Sequence, residues 1–160
     1  GDQIALEFSG QAVYPFEGPP YYPFIEWAKR CETLHTSKMG FSIHPEYGLW
    51  HAFRFALFLP TRIKSLEANT VKASNTKNPC SSCSDSPCLN SCPVNAYTES
   101  GFDSDKCFNH LKQNEKGECR TKGCIARRSC PEGTRYQYVP EHAAFHMTAF
   151  YDSQKKRIKN

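Results

Sequence analysis

Nothing in this chain approaches the ~20 consecutive apolar residues that a membrane-spanning helix requires. Its most apolar run, Leu49 to Leu59, is interrupted by His51 and Arg54 and suits a buried strand or short helix. Glycine-rich phosphate loops, serine-nucleophile elbows and paired-carboxylate signatures are all absent, which removes the common sequence marks of phosphate-cradling and acyl-transfer enzymes. Neither sign of charge dominates, with a formal net charge of +4. Long internal repeats are missing too. The amino terminus lacks the basic, apolar, small-residue order of a secretory signal and opens at Gly1, so the expectation is a reducing, cytoplasmic setting with some sequence missing upstream. With 11 prolines and 9 glycines against 39% hydrophobic residues, the chain reads as loop-rich, and 160 residues suffice for one compact unit with two lobes.

What is present in abundance is cysteine. Eight of nine lie between Cys80 and Cys130, in two groups of four: Cys80, Cys83, Cys88, Cys92, then Cys107, Cys119, Cys124, Cys130. Cys92 and Cys130 are each followed by proline. The first group resembles the ligand run of a bacterial two-cluster ferredoxin, except that four residues separate Cys83 from Cys88 where that run has two. Thiolates are soft ligands for iron–sulfide clusters, and four plus four matches two 4Fe-4S cubanes. By the exchange rule of such ferredoxins, Cys80, Cys83 and Cys88 share one cluster with Cys130, and Cys92 joins Cys107, Cys119 and Cys124 in the other. The same eight residues also permit a metal-free module with disulfides or reduced thiols, or zinc binding.

Short strands are expected at Ile4–Phe8 and Ala12–Phe16, stopped by Gly18-Pro19-Pro20. A helix opening at Pro23 carries Phe24, Ile25, Trp27 and Ala28 on its apolar face and is closed by Cys31. Met39 to Leu59 reads as a hairpin turning at Pro45 to Gly48, with His51, Phe53, Phe55, Leu57 and Leu59 on one face. Residues 64–79 are polar and read as a linker. Helices are expected at Leu89–Tyr97, at Ser104–Gln113 behind a serine or aspartate cap, and from Pro140 to about Tyr151, followed by a basic tail. The fold class is therefore α+β: a helical double-cluster ferredoxin-type lobe (80–135) packed on a small aromatic-rich α/β segment (1–63), joined by the linker and finished by 136–160.

The CP, FDSDKC, GC and CPEG elements between Pro79 and Gly133, with Trp27-Ala28-Lys29, Met39-Gly40 and His44-Pro45-Glu46-Tyr47-Gly48 upstream, resemble the iron–sulfur module of epoxyqueuosine reductases and corrinoid reductive dehalogenases. HPEYGLWHAFR and AAFHMTAF bring the chain still nearer to uncharacterised ferredoxin-like bacterial proteins. The resemblance covers residues 12–133 and implies a cytosolic redox protein with a redox partner protein. Arg127 stands where the reductases carry the second cysteine of a Cys-x-x-Cys, leaving Cys119 as its replacement. Corrinoid binding would need an amino-terminal domain for which too little sequence precedes Ala12.

Other candidate residues are histidines and cations. His142 and His146, four apart on the expected final helix, could face one metal, or one packs and one is solvated. His44 and His51 flank the Pro45–Gly48 turn and, with Arg54, either handle a proton or an anion or simply anchor that turn. Arg120, Lys122, Arg127 and Arg128, with Lys155, Lys156, Arg157 and Lys159 of the tail, would suit transfer RNA or an acidic electron partner, or only solubilise the chain. Three functions follow: an iron–sulfur electron carrier, more carrier than enzyme; a metal-free structural or binding module using an aromatic surface at Tyr21, Tyr22, Trp27, Tyr47 and Trp50; or the carboxy-terminal part of an epoxyqueuosine-reductase-like enzyme.

Overall fold

The computed structural model describes residues 1–63, 77–98 and 101–159. The polar stretch expected as a linker lies mostly outside the described residues. The molecule is mixed α and β and divides into two compact units: residues 1–34 with 51–76, and residues 35–50 with 77–160. Residues 35–50 thus group with the cysteines, not with the amino-terminal segment. Among the described residues no helix is long and apolar enough to cross a membrane.

In the first unit, helix α1 (Asp2–Glu7) occupies the segment expected as the first strand. Ile4, Leu6 and Phe8 alternate, but all three are exposed, and it is Ala5 that is buried. Good helix formers, with Asp2 at the positive end of the dipole, outweigh the alternation. The Tyr14 hydroxyl secures that end, accepting from the Asp2 N–H at 3.1 Å and donating to its carboxylate at 2.9 Å. Strand β1 (Gln11–Val13) is shorter than expected. Helix α2 (Phe24–Cys31) follows Pro23 and buries Phe24 and Ala28, with Lys29 and Arg30 in its last turn.

The second unit begins with β2 (His35–Thr36) and β3 (Ser42–Ile43), an antiparallel pair turning through Gly40 at φ 81°. The expected 39–59 hairpin does not form. Its turn is real, closed by reciprocal His44 and Gly48 backbone bonds of 2.9 Å, but its arms part. β3 pairs backward with β2, while β4 (Ala56–Phe58) belongs to the first unit and pairs antiparallel with β1, Val13 opposite Ala56. Leu49 and Trp50, between those arms, are buried.

The cysteine region is built of short helices: α3 (Pro79–Ser82), α4 (Pro87–Asn90), α5 (Ser104–Gln113), α6 (Glu118–Thr121) and α7 (Ile125–Arg128), with the small hairpin β5 (Tyr97–Thr98) and β6 (Gly101–Phe102). The expected Leu89–Tyr97 helix is only α4; Pro93 cannot donate to a continuing helix and Asn95 sits at φ 47°. α5 spans the expected residues, its cap being Asp103, which accepts from the Lys106 N–H at 2.9 Å. A 3₁₀ turn, Thr134–Tyr136, precedes α8 (Pro140–Lys159), which extends past Tyr151 through the basic tail. α8 packs on α5 and α6, and α4 packs on α7. The unit's core is Met39, Ile43, Leu49 and Ala126 with Cys88 and Cys130, against which Cys80, Leu89, Cys92, Tyr97 and Cys124 pack. Sulfur therefore fills positions that aliphatic carbon fills in an ordinary domain.

Candidate functional site

None of the nine cysteines is joined in a disulfide. Cys31, at the end of α2, is exposed and belongs to the first unit; the other eight are buried or half-buried in the second. Their mutual influence divides them into two sets. Cys88, in α4, has its thiol pKa raised by burial first and then by the neighbouring charges of Cys80 and Cys83. Cys130 is raised by burial and then by Cys88 and Cys80. In the other set, burial and then Cys124, Cys119 and Cys92 push the Cys107 thiol up to about 12. Cys119 is raised by burial, and Cys124 and Cys92 add to it. The sets are Cys80, Cys83, Cys88, Cys130 and Cys92, Cys107, Cys119, Cys124.

One small cavity, about 20 Å³, is lined by all four cysteines of the second set, together with Ala96, Tyr97 and Ala126. Against the general tendency of burial to protonate thiols, several backbone N–H groups point at sulfur. Ala96 donates to Cys92 Sγ at 3.3 Å, and the N–H groups of Leu89, Ile125 and Glu132 favour the thiolates of Cys88, Cys119 and Cys130. Such donors stabilise negative charge on sulfur whatever cation balances it. Among the described residues, no group of three or more His, Cys, Asp or Glu stands close enough together to hold a metal ion. The two sets are neighbours at electrostatic range, more open than the shell of one ion.

The two extra residues between Cys83 and Cys88 are taken up in a pinned turn. Asn90 Nδ2 donates to the Asp85 carbonyl at 2.8 Å, and Lys38 Nζ donates to the Cys83 carbonyl at 2.8 Å and to Ser86 Oγ at 2.6 Å. Asn78 caps α3 by accepting from the Cys80 N–H at 3.0 Å and, through Nδ2, donates to the Thr36 carbonyl of β2 at 3.0 Å. The β2–β3 hairpin thus braces the first set from a point some forty residues upstream in sequence. Lys38 carried no signal in the sequence, because its partners are backbone carbonyls and a serine. Tyr97 was also missed. Its hydroxyl lies 3.9 Å from Cys124 Sγ, and burial, then Cys124, Cys107 and Cys92, raise its pKa far above the ordinary phenol.

The remaining candidates are distributed differently. His44 Nδ1 accepts from the Glu46 and Tyr47 N–H groups at 3.0 and 3.2 Å and its ring stacks on Tyr47, so it anchors the turn. His51 and Arg54 belong to the other unit; His51 meets Phe53 edge-on, and Arg54 is exposed. His142 and His146 do meet, Nε2 to Nε2 at 3.0 Å, in a stack with Tyr138, but no third ligand joins them among the described residues. Arg127 donates through Nε (3.1 Å) and a terminal nitrogen to the Leu49 carbonyl and lies over Trp50 and Tyr138. Trp50 is 6% exposed, which removes it from the aromatic surface expected of a binding module; Tyr21, Tyr22 and Trp27 lie in the other unit. Several cations near the second set are already engaged. Lys122 and Arg128 pair with Glu118, holding its carboxyl below the usual range; Arg120 lies 4.2 Å over the Tyr151 ring; Arg157 pairs with Asp105. Comparison with protein-family models, with curated proteins and with solved structures finds no match to this chain.

Proposed function

We propose that the chain is an iron–sulfur electron-transfer protein of ferredoxin type, with Cys80, Cys83, Cys88 and Cys130 ligating one 4Fe-4S cluster and Cys92, Cys107, Cys119 and Cys124 a second. The observation that carries this reading is the division of eight unbridged thiols into two sets of four, the first completed by Cys130 from the later group and the second by Cys92 from the earlier one. The donor chemistry fits, being all thiol, with backbone N–H groups directed at sulfur. A cube of iron and sulfide is wider than one ion, so its ligands stand farther apart than the ~3.8 Å edge of a tetrahedron built on ~2.3 Å zinc–sulfur bonds. That is consistent with an open arrangement that suits no single ion. The small cavity of the second set would have to widen on loading.

When bound, such clusters supply one-electron transfer. The chain's own part is to surrender thiol protons on loading, to exclude water by burial, and to balance charge with N–H donors and cations. A cytoplasmic setting and a redox partner protein belong to this reading; of the eight cations that would meet transfer RNA, five are already paired or stacked.

The test is iron and acid-labile sulfide per chain after oxygen-free purification, with Cys88→Ser and Cys119→Ser beside the parent. About eight irons are expected in the parent and about four in each variant. Colourless parent protein after anaerobic reconstitution, with nine titratable thiols, or one beside four disulfides, would leave the metal-free module. Carrier and reductase differ in what loaded protein does alone: a carrier only re-reduces a partner.

A further inference from the structure

A second cavity, about 710 Å³, lies wholly within the cysteine-rich unit. That volume is in the range of pockets that take compact organic molecules, roughly 300–1,000 Å³. One wall is a run of rings: Tyr97 and Phe102 have centroids 5.0 Å apart, and Phe102 and Phe150 lie 6.0 Å apart. Tilted rings at these separations offer faces and edges to a flat guest. The charged lining is of one sign. Among the described residues, Lys38 and Arg127 line the cavity and no aspartate or glutamate does. Both cations bond to neutral oxygens, Lys38 to the Cys83 carbonyl and Ser86 hydroxyl and Arg127 to the Leu49 carbonyl, so neither charge is cancelled by a carboxylate among the described residues. Ser37, also in the lining, is 7% exposed, and its hydroxyl has no partner among the described residues. A buried hydroxyl with no partner among the described residues, in a lining shared with two cations, is free to donate to or accept from a polar guest.

We infer that this cavity binds a planar aromatic anion, a fused-ring carboxylate, sulfonate or phosphate ester, with its rings against Tyr97, Phe102 and Phe150 and its charge paired with Lys38. Cys107 and Cys124 form part of the same lining, so the ligand sits beside the second cysteine set. The inference stands on volume, rings and charge and needs no metal.

The test uses anthraquinone-2-sulfonate titrated calorimetrically into the full chain, in iron-free and iron-loaded preparations, with neutral 2-(hydroxymethyl)anthraquinone as comparison. Saturable one-to-one binding is expected, weakened about tenfold by Lys38→Met and by loss of the sulfonate, as removal of a charge-assisted contact predicts. Met147→Trp, which narrows the cavity at its lining, should weaken binding, while Lys122→Ala, outside the lining, should leave it unchanged. No saturable binding in either preparation overturns the inference, as does equal affinity for the neutral compound or for Lys38→Met. Should Met147→Trp lose its native circular dichroism, the neutral compound and Lys38→Met still decide. Iron content is assayed separately, so failure of the cluster reading and failure of this one are distinguishable.

Discussion

Cys31 and Cys107 are the same residue type in opposite circumstances. Cys31 is exposed in the first unit; Cys107 is half-buried among three other thiols, which with burial push its pKa to about 12. Cys31→Ser is therefore expected to leave iron and sulfide per chain unchanged, while Cys107→Ser halves them; an equal loss from both would show that the sets are misassigned. Tyr136 offers a titration away from the thiols. Its hydroxyl donates to Glu46 Oε1 at 2.7 Å, and that bond, then desolvation, raise its pKa above the ordinary phenol. The protonated phenol is the form the fold prefers, so its stabilising effect is fully present below the unfolded pKa of about 10 and is lost as pH rises through the higher folded value. Phenolate absorbance should show Tyr136 among the late-titrating tyrosines, with Tyr14 and Tyr97, and that late fraction should fall by one residue in Tyr136→Phe. Stability of that variant and the parent should converge at the alkaline end. Convergence at the acidic end instead would refute the assignment.

At the scale of elements, two glycines explain a motif. Gly48 (φ 59°) ends the His44–Gly48 turn, and Gly133 (φ 66°) follows Cys130-Pro131-Glu132. A Cβ on Gly48 would run into the Glu132 carbonyl, and one on Gly133 into the Tyr47 carbonyl. The two backbones touch, and Arg135 and Tyr136 reach across to Glu46 to hold them there. Gly48→Ala or Gly133→Ala should each cost more than about 1 kcal/mol, read by urea unfolding, since both space and backbone conformation oppose the side chain. In α5, Leu111 is fully buried, and Leu111→Ala should cost about 2–5 kcal/mol depending on how far the site collapses. Removing the Asp103 cap should cost about 1 kcal/mol. If Leu111→Ala cost no more than the cap, the full burial of Leu111 would be refuted.

For the whole molecule, the chain enters the cysteine-rich unit twice, first as residues 35–50 and again from Lys77. The earlier passage supplies Lys38 beneath the Cys83 loop, Ile43 and Leu49 in the core, and the Leu49 carbonyl that Arg127 satisfies. Arg127→Ala would strand that carbonyl and uncover Trp50, so a loss of about 1–3 kcal/mol is expected with both cysteine sets intact. Unfolding midpoint and iron content measured together check this: a fall in iron without a fall in stability would mean that Arg127 acts on the second set directly.

Much of this was legible in the residues themselves. α5 and its cap, the helix after Pro23, the Pro45–Gly48 turn and the mixed α+β class follow from propensity, capping and turn chemistry, which are local. The gathering of the cysteines in one segment was equally plain. What sequence spacing misjudged was partnership at a distance. Alternation marked Ile4–Phe8 as a strand, although its apolar side chains face outward. The 39–59 stretch looked like one hairpin because two apolar arms flanked a turn, yet each arm had a better partner elsewhere, β2 for one and β1 for the other. Local chemistry in the sequence determined the turns, caps and thiol inventory. Only the tertiary structure decided which strand pairs with which, that residues 35–50 brace the cysteines, and that Tyr97, Lys38 and Ser37 stand beside them, because burial and long-range pairing are properties of the packed chain and leave no periodic trace in it.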